Sequence, residues 1–373
     1  HMRILPEYRV SVYEEIIRKN KETYICFGSP KKKSSLKNGT VPVSDHFISV
    51  KNHYLLFKKD VFFANLFKIL KRLKPDVIVV ELSLSNLIIW PLLICRKLLK
   101  IKVIGWNQGW DRSRPSDKVY SLRSLLRNTL INHVDGMIVY SQDSLNRIPA
   151  EIKKEKFFIA NNTLNTKNLL AHRDALKEMS RTDLKSQLGF TTTHNLIFVA
   201  RIEEPKKPLR MIRFFEELKS VNDDVSLHVV GDGTLYEVLK NEIESKALSG
   251  VHMYGSIYDK ERIGEMLYCS DLLVIPAWVG LSILHGFSYE CPILTFEEKM
   301  HPPEIMYLRE GQTGFNLWKE TFREAALKIN QYLMSENDQI IFKRNIAHIL
   351  EEEASISNYV TNFNRAVKYV RSK

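Results

Sequence analysis

The sequence predicts an α/β fold built from two doubly wound domains. Short apolar segments rich in β-branched residues alternate with longer helical patterns along the whole chain, which is typical of parallel sheets covered by helices. The segment Val77-Ile78-Val79-Val80 is apolar at every position, as expected of a strand buried on both faces. The 373 residues exceed what one hydrophobic core usually fills. We therefore expect domains over 1–170 and 171–354, and a C-terminal helix over 355–373 that packs back on the first domain.

The first domain is predicted to alternate strands with helices. The strands are expected at 23–27, 47–50, 77–81, 102–106, 136–140 and 157–160. The helices are expected at 12–19, 61–73 and 122–133. The most apolar segment, 87–95, contains Pro91 and is about half the length of a membrane span, so we interpret it as a buried helix that could skim a membrane but does not cross it.

The second domain repeats this rhythm. Its strands are expected at 195–200, 225–230, 251–254, 272–275, 292–296 and 314–317. Its helices are expected at 211–220, 235–248, 260–268, 282–289, 321–333 and 337–350, with a polar helical segment over 163–193 before them. A final helix is expected at 355–370.

Composition and charge narrow the functional classes. Hydrophobic residues make up 44% of the chain and charged residues 26%, which is ordinary for a globular protein. The four cysteines lie in apolar stretches without a CxxC pair, so we expect buried thiols in a reducing cytoplasm. Residues 1–170 contain 30 Lys and Arg against 14 Asp and Glu, whereas the remainder is slightly acidic. The first domain therefore favours an anionic partner.

Two segments that follow strands of the second domain contain residues suited to phosphates. In open α/β sheets, ligands bind beyond the carboxyl ends of the strands. Arg201 follows one strand, and Lys206 and Lys207 come shortly after it. An arginine fork with a nearby lysine suits a diphosphate, although a solvated basic loop has the same composition. The next segment, with Gly231 and Gly233, is either a plain strand-to-helix turn or a close backbone approach to a ligand.

Two further strand ends contain candidate ligands. Residues 276–286 join a strand to an apolar helix, and the free N–H groups at a helix start favour a diphosphate. His285 lies one turn into this helix, where a lone histidine is more often a core residue than a ligand. Glu304 follows the next strand and is either a surface carboxylate or an acceptor for sugar or ribose hydroxyls.

These four segments, in this order and spacing, resemble family 4 glycosyltransferases. The matches are Arg201 with Lys206 or Lys207, Val230-Gly231-Asp232-Gly233, Gly255, and Ser270-Asp271 before Pro276. The resemblance covers about residues 195–317 and implies the GT-B fold, in which two Rossmann-like domains face each other across a cleft. It implies that the first domain binds the acceptor and the second binds a nucleotide-sugar donor.

The resemblance also implies roles for single residues. Arg201 and the following lysine would bind the donor diphosphate. Gly255, Ser256 and Ile257 would line the base pocket with backbone groups. Gly280, Leu281 and Ser282 would bring backbone N–H groups to the phosphates or to the sugar.

One departure from the family concerns two glutamates separated by seven residues in the last loop. His285 stands in place of the second, and Ala277 lies nearest to the first. The chain resembles a Pro-x-x-Val-Gly-Leu-Ser-x-x-His variant among polysaccharide-assembly enzymes. A histidine can donate to a ribose oxygen or a phosphate, whereas a carboxylate only accepts. We therefore expect altered donor-site chemistry.

The resemblance places acceptor-binding residues in the first domain. Asn107 and Gln108 follow a strand, and Gln108 takes the position of a family histidine that reaches the transferred sugar. An amide is not a general base, which fits a retaining mechanism in which the donor phosphate takes the acceptor proton. Tyr8 and Arg9 lie where relatives bind acceptor or phosphate.

We therefore expect a retaining hexosyltransferase that uses a UDP- or GDP-linked sugar. The acceptor would be a glycan or a polyprenyl-pyrophosphate-linked acceptor in the synthesis of a bacterial surface polysaccharide, O-antigen or capsule. No DxD motif follows a strand, so neither a metal nor another cofactor is expected. The missing glutamate leaves open a degenerate nucleotide-sugar-binding subunit, and the shared fold leaves open a nucleotide-sugar epimerase. A two-domain dehydrogenase is disfavoured because no GxGxxG is present.

The basic first domain leads us to expect peripheral contact with the inner face of the cell membrane. No recognised nucleic-acid-binding motif accompanies the charge, so nucleic acid is not expected as a partner. The alternative is that the basic residues of the first domain only form solvent-exposed faces and bind no partner. The candidate membrane-contacting residues are Lys31, Lys32, Lys33, Lys58, Lys59, Lys68, Lys71, Arg72, Lys74, Arg96 and Lys97.

Overall fold

The computed structural model describes residues 1–31, 37–55, 61–107, 122–298 and 301–373, and the chain divides into two units. One unit contains His1–Asn165 together with Ser355–Lys373, and the other contains Thr166–Ala354. Each unit has a parallel sheet, as the apolar strand patterns predict. The chain thus passes between the units at two places, close to positions 170 and 354.

The first unit contains a four-stranded parallel sheet in the order β5-β6-β7-β8. A parallel pair, β1 with β2, and an antiparallel pair, β3 with β4, accompany it. The strands are β1 Ile25–Gly28, β2 Phe47–Val50, β3 Asn52–Tyr54, β4 Phe62–Ala64, β5 Val77–Glu81, β6 Lys102–Trp106, β7 Gly136–Val139 and β8 Phe157–Ile159. The helices are α1 Glu7–Lys19, α2 Phe67–Leu73, α3 Ile89–Cys95, α4 Leu122–His133 and α5 Gln142–Asn146.

The predicted helix over 61–73 is wrong at its beginning. Residues Phe62–Ala64 form strand β4, which pairs with Asn52–Tyr54, and the helix begins only at Phe67. Phe62 also exchanges backbone hydrogen bonds with Ser85 and Leu87 on its other side. These partners satisfy the backbone N–H and C=O groups of β4 without a helix and so stabilise its extended conformation. The local apolar pattern does not distinguish this conformation from a helix.

The second unit contains a six-stranded parallel sheet in the order β11-β10-β9-β12-β13-β14. Its strands are β9 His194–Val199, β10 Val225–Val230, β11 Val251–Gly255, β12 Leu272–Val274, β13 Ile293–Thr295 and β14 Gly314–Asn316. Its helices are α6 Lys167–Lys177, α7 Arg181–Leu188, α8 Pro208–Lys219, α9 Tyr236–Ser245, α10 Lys260–Tyr268, α11 Ser282–Ser288, α12 Phe322–Leu333 and α13 Glu336–His348. Strand β10 is buried at every position, as expected for a sheet covered on both faces.

The last helix, α14, spans Ile356–Arg371 and belongs to the first unit. It begins at the N-cap Ser355, whose side chain accepts a hydrogen bond from the Asn358 amide. Its apolar face repeats at helical spacing and buries Tyr359, Phe363 and Val370 in one core with α1 and strands of the sheet.

Candidate functional site

The strand order of the second unit defines where a ligand is expected. The chain winds from β9 outward to β10 and β11, and then returns to place β12 on the other side of β9. The order therefore reverses between β9 and β12, and ligands of doubly wound sheets bind beyond the carboxyl ends of the strands at this point. The loop that contains Arg201 follows β9, and the loop that contains Trp278 follows β12.

These two loops contact each other. The ammonium of Lys206 donates a hydrogen bond to the carbonyl oxygen of Trp278 at 2.7 Å. Arg201 lies nearby in sequence with 72% of its side chain exposed, and its guanidinium is 3.7 Å from the Glu203 carboxylate. The structure thus brings the predicted phosphate-binding lysine to the predicted helix-start loop and leaves the arginine fork accessible to solvent.

Lys206 and Lys207 differ in their partners. Lys207 forms an ion pair with the Glu297 carboxylate, which lies just after β13. Lys206 has a neutral carbonyl as its partner, and burial lowers the pKa of Lys206 to about 8 because desolvation disfavours the charged ammonium. The Glu297 carboxylate therefore neutralises the charge of Lys207, whereas the partner of Lys206 is a neutral carbonyl group.

The loop after β12 presents the start of α11. The first intrahelical bonds run from the amides of Ile283 and Leu284 to the carbonyls of Gly280 and Leu281. The amides of Leu281 and Ser282 precede these bonds and so fall among the donors that a helix leaves without intrahelical partners. Within the described residues, the buried Ser282 Oγ also has no hydrogen-bond partner. Uncompensated donors of this kind suit an anionic ligand.

The glycine turn after β10 packs against the backbone of the Arg201 loop. A Cβ atom on Gly231 would lie 1.9 Å from the Ala200 carbonyl oxygen, and one on Gly233 would lie 2.5 Å from that of Ile202. The Ile202 amide also donates to the Asp232 carbonyl oxygen at 3.0 Å. Both glycines are therefore required by the fold, and their contribution to donor binding stays a prediction.

The remaining predicted donor-binding residues lie at other places on this sheet. Gly255 ends β11 with a φ of 67°, and its carbonyl accepts from the Gly231 amide. Ser256 is exposed and Ile257 is half-buried just beyond this strand end. Glu304 is only 4% exposed, in a 3₁₀ turn over Pro303–Tyr307. Their predicted contacts with base, ribose and sugar stay predictions.

His285 lies within α11 and retains exposed surface. Desolvation of the ring by surrounding protein atoms disfavours the charged imidazolium, and this effect, with a smaller contribution from the Lys260 ammonium, lowers the pKa of His285 from its usual value. The neutral imidazole has one donor and one acceptor nitrogen, so it is able to pair with a hydroxyl in either direction. This is consistent with a ligand-facing residue, and its catalytic role stays a prediction.

Sequence reasoning did not single out two residues that organise these loops. Glu297 lies two residues after the end of β13 and pairs with Lys207, and the strand-end rule was sufficient to find it. His301 is 2% exposed and contacts the backbones of Val279 and Glu297. No local sequence signal indicates His301, because its partner Val279 is distant along the chain.

The first unit places Arg9 in its core. Arg9 is 2% exposed, and its guanidinium donates to the hydroxyls of Tyr140 and Tyr359 and to the side-chain oxygen of Asn162. It also lies 5.1 Å from the Trp106 ring centre. This geometry argues that Arg9 joins α14 to the sheet as a structural residue, which gives no support to its predicted contact with the acceptor.

The other predicted acceptor-binding residues are only partly described. Tyr8 is half-buried with its ring 5.4 Å from the Arg9 guanidinium. Asn107 follows β6, and its side-chain amide donates to the Leu82 carbonyl. Gln108 lies outside the described residues, as do Lys32, Lys33, Lys58 and Lys59. Acceptor binding by this group stays a prediction.

Other features of the described residues do not add to this site. A cavity of about 590 Å³ in the first unit lies at the amino ends of β1 and β5, lined by residues including Ile25, Leu70, Val77 and Phe363. No cluster of three or more metal-ligating side chains occurs in the described ranges. Over the same ranges, none of the helices combines the length and apolar character needed to cross a membrane.

The second unit matches a known protein family, and the whole chain is similar in fold to solved structures. Residues 180–349 match the family described as Glycosyl transferases group 1. The glycosyltransferase MJ1059 of Methanocaldococcus jannaschii is 24% identical over 249 residues, and the alignment covers 64% of this chain but only 60% of that relative. The crystal structure of Anabaena Alr3699/HepE in complex with UDP has a TM-score of 0.68 at 15% identity and 98% coverage of both chains.

A glycosyltransferase from Rickettsia africae gives the same TM-score of 0.68, at 12% identity, and covers 100% of this chain and 98% of its own. The family match covers nearly all of the unit that contains Arg201, Lys206 and the α11 loop. The likeness in fold extends over essentially the whole chain. We conclude that residues 180–349 form a domain of the group 1 glycosyltransferase family (GT4) and that the chain has the GT-B fold.

Proposed function

We propose that this protein transfers a sugar from a nucleotide-diphosphate donor to an acceptor hydroxyl, with retention at the anomeric carbon. The observation that carries this proposal is the contact between Lys206 and the α11 loop at the point where the strand order reverses. The Trp278 carbonyl belongs to the loop that leads into α11, and a lysine ammonium and helix-start amides are both suited to phosphate oxygens. Arg201, exposed at the same strand end, supplies the second cation.

The chemistry of the transfer explains why these groups matter. The bond between the anomeric carbon and the donor phosphate oxygen breaks, and the acceptor oxygen forms a new bond to the same carbon. Negative charge then builds on the departing diphosphate, and fixed cations and N–H dipoles stabilise that charge most. A donor phosphate oxygen takes the proton of the acceptor hydroxyl. Arg201, Lys206 and the amides of Leu281 and Ser282 would stabilise the leaving group.

We propose UDP as the first nucleotide to test and GDP as the second. The Anabaena protein of the same fold has been crystallised with UDP and, separately, with UDP-glucose, the latter structure having a TM-score of 0.62. Those ligands belong to that protein, and the likeness to it is one of fold. The base pocket in this chain would be formed by Gly255, Ser256 and Ile257 at the end of β11.

We propose a glycan or a polyprenyl-pyrophosphate-linked glycan of a bacterial surface polysaccharide as the acceptor, with the protein docking on an anionic membrane. The end of α3 supports the docking. We use the name α3 tip for Ile94, Lys97, Leu98, Leu99 and Lys100. Ile94 is 79% exposed and Leu98 is 85% exposed, and residues 82–107 contain no Asp or Glu. Exposed apolar side chains among lysines match the chemistry of an anionic bilayer surface.

The donor site is tested first by thermal shift of the wild-type protein with UDP, GDP, dTDP, CMP, ADP and NAD, with and without a divalent metal. We expect one nucleoside diphosphate to raise the melting temperature specifically. Transfer from the corresponding nucleotide-sugar is then measured for Arg201→Ala and for Arg213→Ala, an exposed arginine on α8 that serves as the matched control. Loss of one such leaving-group contact should lower kcat by about a hundredfold.

The outcomes separate the rival functions. An Arg201→Ala enzyme within about threefold of the wild type would refute the leaving-group assignment, given the size expected for such a contact. Specific nucleotide binding without any turnover would favour a degenerate binding subunit. Release of UDP without an acceptor would favour an epimerase, and stabilisation by NAD alone would favour a dehydrogenase. An NMR assignment of the product anomer tests retention.

A further inference from the structure

His301 joins two loops of the candidate donor site through both of its ring nitrogens. Nδ1 lies 3.0 Å from the Val279 amide nitrogen, and Nε2 lies 2.6 Å from the Glu297 carbonyl oxygen. The side chain is 2% exposed. Val279 lies in the loop after β12 and Glu297 in the loop after β13, so the ring connects the ends of two neighbouring strands.

The partners determine the protonation of the ring. The Val279 amide is a donor, so Nδ1 must be the acceptor and carry no proton. The Glu297 carbonyl oxygen is an acceptor, so Nε2 must carry the proton. Only the neutral tautomer protonated at Nε2 satisfies both bonds at once. His301 is therefore held in one tautomer and one orientation by backbone groups.

Both loops joined by His301 also hold the basic loop after β9. The Glu297 carboxylate pairs with Lys207 and lies 3.9 Å from the Arg210 guanidinium. On the other side, the Trp278 carbonyl accepts the Lys206 hydrogen bond. His301 thus closes a ring of contacts that includes Lys206, the α11 loop and Glu297.

The backbone conformation shows why this connection is needed. Trp278 has a φ of 55°, a left-handed conformation that costs free energy in a residue other than glycine. Such a conformation persists only where surrounding contacts hold it. The Val279 bond to His301 and the Lys206 bond to Trp278 are contacts of this kind, on consecutive residues just before Gly280 and Leu281.

We propose that His301 is a positioning residue for donor turnover, which rests on the proposed donor site. It fixes Val279 and so holds the amides of Leu281 and Ser282 in the place that the donor diphosphate requires. Catalysis by fixed dipoles depends on their being oriented before the substrate binds, so a small displacement of this loop should slow transfer strongly.

The test compares variants that keep different halves of the connection. Asparagine retains an acceptor near the Nδ1 position and is able to bond to Val279. Glutamine retains a donor near the Nε2 position and is able to bond to Glu297. Phenylalanine removes both bonds and keeps a planar aromatic ring, of somewhat larger volume. The matched control is His228→Phe, since His228 is also fully buried with both ring nitrogens bonded, to Tyr254 and Asn195, but lies within β10.

We measure kcat and KM for the donor, the melting temperature, and amide hydrogen exchange in peptides that contain Val279. His301→Phe should lower kcat/KM by about a hundredfold, mainly through kcat. It should also speed amide hydrogen exchange at Val279. His301→Asn should recover most of kcat and of the protection, and His301→Gln should recover less. His228→Phe should lower the melting temperature without changing kcat in the folded protein.

The proposal is overturned if folded His301→Phe keeps wild-type kcat, or if Gln restores function as well as Asn. If His301→Phe fails to fold, the comparison of Asn with Gln decides alone. A wild-type protein that neither binds a nucleotide nor turns over would instead refute the proposed function. Exchange at Val279 in the Asn and Gln variants would then still show whether His301 holds the loop.

Discussion

Among single residues, Lys206 has the charge state that most directly links pH to the proposed activity. Burial lowers its pKa to about 8, so the ammonium is present below this pH and is lost as the pH rises through it. The diphosphate is attracted only by the charged form. We therefore predict that kcat/KM for the donor falls above pH 8, whereas kcat falls at a higher pH because bound diphosphate stabilises the ammonium.

The measurement is a pH–rate profile of wild type, Lys206→Arg and Lys207→Arg. Arginine stays charged throughout, so Lys206→Arg should lose the fall in kcat/KM near pH 8 even if its overall activity is reduced. Lys207→Arg keeps the pair with Glu297 and should retain the fall. An unchanged profile in Lys206→Arg would show that another group causes it.

Residue by residue, the sequence indicated the strand ends but not the contacts between them. Arg201, Lys206 and Ser282 were predicted because they directly follow strands or begin a helix. His301 was not, since its bonds join two backbones that only the parallel sheet brings together. Arg9 was predicted to bind a ligand, yet its hydrogen-bond partners Tyr140, Asn162 and Tyr359 come from distant parts of the chain and place it in the core.

Among the elements, the turn between β10 and α9 should be sensitive to any side chain. A Cβ on Gly231 would overlap the Ala200 carbonyl oxygen at 1.9 Å, so Gly231→Ala must displace the loop that contains Arg201. We predict that it lowers the free energy of unfolding by about 1–3 kcal/mol, as overpacking does, and weakens nucleotide binding. Chemical denaturation and nucleotide titration measure the two effects.

Gly280→Ala is the matched control for the stability measurement. A Cβ there would meet only the Pro302 side chain at 3.6 Å, an ordinary contact. Its free energy of unfolding should therefore stay close to that of the wild type. Equal stability of the Gly231 and Gly280 variants would contradict the steric argument.

The same elements show what local sequence patterns determine. Strands β2, β5, β6 and β10 and helices α4 and α10 have the predicted bounds, because their apolar repeats and flanking breaks agree with their final environment. Strand β4 was predicted as helix. Its extended conformation depends on backbone pairing with β3 and with Ser85 and Leu87, and a local sequence pattern carries no information about these partners. Helix α1 begins earlier than predicted, at Glu7 directly after Pro6.

For the whole molecule, the uneven charge leads to a prediction about membranes. We expect the protein to bind phosphatidylcholine vesicles that contain phosphatidylglycerol, to bind pure phosphatidylcholine vesicles weakly, and to lose binding as salt is raised. Replacing Lys97 and Lys100 by alanine should weaken binding about fivefold per lysine. Leu98→Ser should also weaken it, because Leu98 is 85% exposed at the α3 tip.

Leu327→Ser is the control for the vesicle measurement, since Leu327 is 51% exposed on α12 of the other unit. It should leave vesicle binding unchanged. Vesicle binding that does not depend on salt concentration, or that is unchanged in all the α3-tip variants, would show that any membrane contact is made by other residues. Nucleotide-induced thermal shift in the α3-tip variants should match the wild type, which separates docking from donor binding.

The place of α14 has a consequence for how the protein is made. Tyr359, Phe363 and Val370 complete the core of the first unit, yet the ribosome reaches them only after all of Thr166–Ala354 has been synthesised. The second unit is one continuous stretch and is able to fold as it emerges. Until α14 has been synthesised, the first unit lacks the helix that packs on Arg9 and on one face of its sheet. We therefore expect the first unit to stay accessible to chaperones and proteases during translation for longer than the second unit.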